Sequence, residues 1–121
     1  MYTIFLETTF TAQHQLTFSN GKQEPLHEHE WKVCVAVSAD RLTDEDLVMD
    51  FEELKLLLES TLQDFRHRKL ETIPLFEQRN ASAENVAAIL YQQIAPKLTE
   101  NVRLDHVEVT EAPGCRARYS V

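Results

Sequence analysis

Glycine is scarce in this chain of 121 residues: only Gly21 and Gly114 occur. Neither GxGxxG nor GxxxxGK[ST] can be written with them, which excludes nucleotide binding through a glycine-rich phosphate loop. Positive charge is also short. Twelve Lys and Arg face 20 Asp and Glu, a net charge of −8, so nothing in the composition suits a phosphate backbone and no nucleic-acid partner is expected. No apolar run approaches the roughly 18 residues of a membrane span. The opening Met1-Tyr2-Thr3-Ile4-Phe5-Leu6-Glu7 lacks the basic start of a signal peptide. No membrane partner and a cytoplasmic location are therefore expected. Two cysteines, Cys34 and Cys115, are too few for a disulfide scaffold. They read as reduced thiols that behave as small buried hydrophobes.

What is present points to a packed core: 43% of the residues are hydrophobic. There is no internal repeat, low-complexity stretch or linker, so residues 1–121 form one domain. Tyr2 to Phe10 mixes β-branched and aromatic residues and reads as a strand. Trp31 to Ser38 alternates, with Trp31, Val33, Val35 and Val37 on one face and Cys34 and Ala36 on the other. Asn20-Gly21 between them signals a two-residue hairpin turn. Phe51, Leu54, Leu58, Leu62 and Phe65 recur at helical spacing behind Asp50, a good N-cap. A second helix is predicted from Ser82, with Val86, Ile89, Leu90, Ile94 and Leu98 as its stripe and Pro96 disturbing its end. Two further strands follow, Val107, Val109 and Glu111 sharing a face, then Cys115 to Val121 after a turn at Ala112-Pro113-Gly114. The order ββ-α-α-ββ is an α+β pattern with both helices on one face of an antiparallel sheet.

Three of the five histidines lie close in sequence. Residues two apart on a strand face the same way, so His27 and His29 can reach one ion while Glu28 and Glu30 point away. A hairpin centred on Asn20-Gly21 sets His14 across from His27, although Pro25 opposes strict pairing. Three imidazoles with an open fourth position describe a catalytic zinc site better than a structural one. By spacing alone, three solvated histidines account for the pattern equally well.

Five motifs in order resemble the 6-pyruvoyl-tetrahydropterin synthase / 6-carboxy-tetrahydropterin synthase family. They are Phe10-Thr11-Ala12-Gln13-His14, Leu26-His27-Glu28-His29, Asp50-Phe51-Glu52-Glu53-Leu54-Lys55, Asn80-Ala81-Ser82-Ala83-Glu84-Asn85 and Val109-Thr110-Glu111. The resemblance implies a T-fold, a four-stranded antiparallel sheet with two helices on one face, assembled as a homohexamer (a dimer of trimers) with sites at subunit interfaces. It implies zinc on His14, His27 and His29, and a pterin substrate held by Glu111 with help from Ser82. A carboxylate suits the two parallel donors of a pterin's amino-pyrimidine edge.

The chain departs from the family where catalysis is expected. The nucleophile-like cysteine is missing: Gln23 and Gly21 occupy its two customary places before His27. Glu24 instead matches a glutamate-bearing variant that releases 6-hydroxymethyl-dihydropterin. The family's Asp-His dyad falls at Arg66-His67, so His67 is retained while arginine replaces the carboxylate that would orient it. Arg66 suits a substrate phosphate. Leu104-Asp105-His106 spells the dyad string but lies after the second helix, and is read as coincidental. The resulting expectation is a zinc-dependent lyase acting on the side chain of 7,8-dihydroneopterin or its triphosphate, with Glu24 and His67 handling protons. The rivals are a zinc-containing pterin-binding protein without catalysis and a bare assembly module.

Overall fold

Alternation of apolar side chains along four strands gives one greasy face, and two amphipathic helices cover it. In the computed structural model, which describes residues 1–121, the strands are β1 (Tyr2–His14), β2 (His27–Ala39), β3 (Arg103–Ala112) and β4 (Cys115–Tyr119). They form one antiparallel sheet in the order β1-β2-β3-β4. The helices are α1 (Phe51–Leu62) and α2 (Ala83–Ile94). Phe10, Trp31, Val33, Val35, Val107 and Val109 from the sheet share a single core cluster with Leu54, Leu58, Leu62, Val86, Leu90 and Ile94 from the helices. The four-stranded, two-helix arrangement expected from the sequence is thus present. No helix is long and apolar enough to cross a membrane.

The helix ends follow their capping chemistry. Asp50 accepts the Glu52 N–H at 2.9 Å, and Ser82 accepts that of Asn85 at 3.2 Å. Ser82 is therefore the cap, and α2 begins one residue later than predicted. Helix α1 stops before Phe65, which is nevertheless buried edge-on against Phe10 and Phe76. Pro96 sits in a single-turn helix, Ala95–Lys97, that terminates α2.

Both long strands extend towards the histidines beyond their predicted limits, β1 to His14 instead of Phe10 and β2 from His27 instead of Trp31. Thr11, Gln13, Glu28 and Glu30 lie on the sheet face that the helices leave open, where polar residues continue a ladder at no burial cost. His14 does pair with His27, but not through a two-residue turn. The tip spans three residues: the Phe18 N–H donates to the Lys22 carbonyl, and Gly21 closes it at φ 84°. That turn sets Thr17 opposite Gln23 and Leu16 opposite Glu24, and an unbroken ladder would then bring Leu26 to His14. An extra residue at Pro25-Leu26, where proline cannot donate, advances the register to His27. A longer turn and a bulge cancel.

The second hairpin is as the sequence predicts. Ala112 pairs with Cys115 around Pro113 and Gly114, the latter at φ 82°, which are the residue types a type II turn needs. Cys34 is half-buried on the open face, and burial, then Glu7 and Glu108, push its thiol pKa up. Cys115 is exposed, contrary to the buried role expected, because it directly follows the turn.

Trp31 ties the core to the histidines. It is fully buried, stacks on Phe10 and donates its indole N–H to the Ala12 carbonyl at 3.3 Å. Trp31→Ala is expected to cost about 3–5 kcal/mol, measured as the shift in urea unfolding against wild type.

Candidate metal centre

Three strands deliver four side chains. His14 ends β1, His27 and His29 open β2, and Glu111 lies near the end of β3. The three imidazole rings form a triangle with centroids 4.5, 4.6 and 5.1 Å apart, and the rings of His14 and His29 rest edge-on against Trp31. One ligand atom from each histidine and one Glu111 oxygen all lie within 4.8 Å of one another. Glu111 Oε1 is 3.1 Å from His29 Nε2 and 3.3 Å from His14 Nε2.

Tautomers show what this cluster needs. His14 Nδ1 lies 2.8 Å from the Ala81 carbonyl and His27 Nδ1 lies 2.8 Å from the Pro25 carbonyl. Since a carbonyl only accepts, both Nδ1 atoms donate, and in the neutral rings both Nε2 atoms carry lone pairs. Those two Nε2 atoms are 2.8 Å apart. The separation matches a hydrogen bond, yet neither neutral ring has a proton left to share there. His29 Nε2 is buried without a hydrogen-bond partner, its approach to Glu111 notwithstanding. Three ring nitrogens, two of them with fixed lone pairs, and a carboxylate gathered together are the donor set that zinc takes, with carbonyl-oriented imidazoles at His14 and His27 of the kind that hold it. Burial pulls the His29 pKa below 6.5, outweighing the attraction of Glu111, and the neighbouring His14 and His27 pull it the same way.

The surrounding residues explain why the rings stay in place. Asn80 grips Thr17 through both main-chain groups, accepting its N–H at 2.8 Å and donating to its carbonyl at 2.9 Å. Asn85 donates to the Asn80 carbonyl. Glu71 accepts from the backbones of Gln15 at 3.2 Å and Ala81 at 3.3 Å. Together they pin the segment before α2 to the first hairpin loop, which carries the Ala81 carbonyl to His14. Nothing around Glu71 in the sequence points to this role. Its role arises from a single-turn helix, Leu70–Thr72, that brings two distant backbones to one carboxylate.

The other expected residues divide into two groups. Glu24 is beside the cluster: one oxygen lies 3.8 Å from His27 Nε2 and accepts the Leu16 N–H at 3.0 Å. Ser82 is adjacent to Ala81 in the chain and caps α2. Glu111 divides two shallow clefts, one lined by Ala83, Glu84, Cys115 and Arg116, the other by His29, Glu30, Thr110 and Pro113. Arg66 and His67 are elsewhere in the protomer. The Arg66 guanidinium binds Glu59 at 2.5 Å and the Thr9 carbonyl at 2.9 Å. His67 is exposed at φ 58°, its N–H donating to the Thr11 carbonyl. Asp105 and His106 lie at the opposite end of β3, where Asp105 accepts from Ser38.

A family model described as 6-pyruvoyl tetrahydropterin synthase matches residues 3–121. The chain is 32% identical over 124 residues to a 6-carboxy-5,6,7,8-tetrahydropterin synthase of Synechocystis, covering 98% of this chain and 93% of that protein. It is 27% identical over 108 residues to a dihydroneopterin monophosphate aldolase of Pyrococcus furiosus, covering 89% and 88% respectively. Among solved structures, the Caenorhabditis elegans 6-pyruvoyl tetrahydropterin synthase superposes with a TM-score of 0.87 at 19% identity, over 99% of this chain and 95% of that one.

Asn80→Ala releases the loop that aligns His14 and is expected to weaken zinc binding about 10–100-fold, read by chelator competition. The metal-free protein should also lose stability as pH falls through about 6.5. There the unfolded chain takes up protons that the partly buried His29 and the similarly depressed His106 resist in the fold. Urea midpoints at pH 7.5 and 5.5 check this, and His29→Gln and His106→Gln should each reduce the difference.

Proposed function

Because the chain belongs to the 6-pyruvoyl tetrahydropterin synthase family, we propose that it is a zinc-dependent lyase acting on the side chain of 7,8-dihydroneopterin or its phosphate esters. The product on this reading is 6-hydroxymethyl-dihydropterin. The observation that carries it is the position of Glu24, a carboxylate at the rim of the histidine cluster, 3.8 Å from His27 Nε2. Neither cysteine is among the clustered ligands.

Held by His14, His27 and His29, zinc would polarise the hydroxyls of the side chain. Glu24 takes the proton of the second side-chain hydroxyl. The bond between the first and second side-chain carbons then breaks as the second becomes an aldehyde. Its electron pair passes into the C6=N5 bond of the dihydropterin, and a proton returned to the first carbon completes the hydroxymethyl group. Glu111 receives the amino-pyrimidine edge through paired hydrogen bonds, with the Ser82 hydroxyl beside it. The Leu16 N–H holds Glu24 at the rim while leaving its second oxygen unbonded.

His67 lies on the outer edge of β1, bonded through its N–H to the Thr11 carbonyl and outside the clustered groups, so on this reading it handles protons for a neighbouring copy in a cytoplasmic homohexamer. Arg66 binds Glu59 and β1 in the protomer, so a phosphate contact through it requires that pairing to open. These two placements favour the second reading, a zinc-containing pterin-binding protein without catalysis.

Incubation with dihydroneopterin and its mono- and triphosphates, followed by mass analysis, tests the reading. Hydroxymethyl-dihydropterin with an aldehyde co-product is expected. A carboxy-tetrahydropterin product would overturn the cleavage type, and tight pterin binding without turnover would establish the second reading. Glu24→Gln is expected to lower kcat about 10²–10⁴-fold with zinc content unchanged.

A further inference from the structure

Glu111 has an unusual backbone position. Pairing between β2 and β3 reaches Thr110 opposite Lys32, and pairing between β3 and β4 passes from Thr110–Arg116 to Ala112–Cys115. Glu111 is the residue passed over. It forms a bulge, a device that re-aims a side chain and leaves its residue outside the ladder. Rotation of its side chain leaves the backbone ladder intact, as it does for any strand residue, and the bulge sets the direction from which the carboxylate reaches the histidines.

That carboxylate also lacks the partners that normally hold one. No backbone N–H, hydroxyl, lysine or arginine bonds to it; its close polar neighbours are His14 Nε2 and His29 Nε2, at 3.3 and 3.1 Å. Tetrahedral zinc ligands at about 2.0–2.1 Å from the ion are about 3.3 Å from one another. Glu111 Oε1 has about that spacing from two of the three histidine nitrogens and lies within 4.8 Å of the third, as a candidate fourth ligand would. Glu24 does not: it is held by the Leu16 N–H and is outside the group of mutually close ligand atoms. Of the two carboxylates, one is placed to ligate and the other to accept a proton.

We propose that Glu111 is an exchangeable fourth ligand, closing the metal's coordination when no pterin is bound and leaving it for the amino-pyrimidine edge when a pterin arrives. This rests on the reading above that the histidines hold a metal and that Glu111 receives the pterin. Substrate binding and opening of the metal then become one event. A closed site exposes no reactive position to stray ligands, and the ring opens the position its own side chain uses. The two clefts flanking Glu111 give the carboxylate somewhere to turn without crossing the core.

The test uses metal-stripped protein reloaded with cobalt(II), whose visible absorption reports coordination, and 6-methylpterin, which has the ring but no side-chain hydroxyls to bind metal. Zinc affinity is measured separately by chelator competition. Wild type is expected to show an intense four-coordinate band that changes on saturation with 6-methylpterin, followed independently by pterin fluorescence. E111Q should show an altered band that 6-methylpterin leaves unchanged, and zinc binding weakened about tenfold or more. E111D keeps the charge but shortens the reach, and should follow E111Q. Three results would each overturn the proposal: zinc affinity and cobalt band of E111Q equal to wild type, E111D equal to wild type, or a wild-type band indifferent to 6-methylpterin. A wild-type protein that takes up no cobalt would overturn both the exchange and the metal reading. The expected cobalt behaviour without turnover of dihydroneopterin phosphates would sink the lyase and leave the exchange standing. Turnover with an unresponsive cobalt band would do the reverse.

Discussion

Two imidazole nitrogens that both present lone pairs are held 2.8 Å apart at the mouth of the first hairpin, and much of the structure works to keep them there. The pairing of His14 with His27 fixes their separation. The Ala81 and Pro25 carbonyls fix their tautomers. Trp31 supplies the floor, and Asn80 and Glu71 anchor the loops that carry those supports. Without a cation the arrangement is repulsive, so the core and ladder impose a local cost that an ion would remove. Such an ion binds the native state far better than the unfolded chain, and its affinity adds to stability.

Much of the fold was legible because it rests on local chemistry. The alternation in Trp31, Val33, Val35 and Val37 and the caps at Asp50 and Ser82 are near-neighbour effects that the chain displays openly. In the sequence the pairing of His14 with His27 follows from a two-residue turn, whereas the actual turn has three residues and is offset by the bulge at Pro25-Leu26. A bulge is an agreement between two strands and leaves no periodic signal in either. Glu71 is silent in the sequence for a related reason: its importance comes from backbones at Gln15 and Ala81 that only the folded chain brings together.

The protomer presents its chemistry at the end of a sheet and not inside a pocket. The clefts beside Glu111 are shallow, and His67 and Arg66 lie along the outer edge of β1, where residues 66–68 bond to Thr9, Thr11 and Gln13. That coverage protects the half of β1 nearest the histidines. The remaining half of β1, and β4 at the opposite margin, are the sheet's free edges. Unpaired strand edges invite pairing with another chain, which accords with the proposed oligomer. A shared site would also account for a small chain carrying so many polar groups that are incomplete by themselves.

The position of Trp31 has an optical consequence. It is the only tryptophan in the chain, and it lies with its ring 5.0 Å from that of His14 and 5.7 Å from that of His29. Intrinsic emission at the red edge of the protein's excitation spectrum therefore originates from one residue beneath the cluster. An ion with unpaired electrons bound there would sit close enough to quench it, while a filled-shell ion would not quench by that route. Without any label, the protein carries a lamp at its own candidate centre.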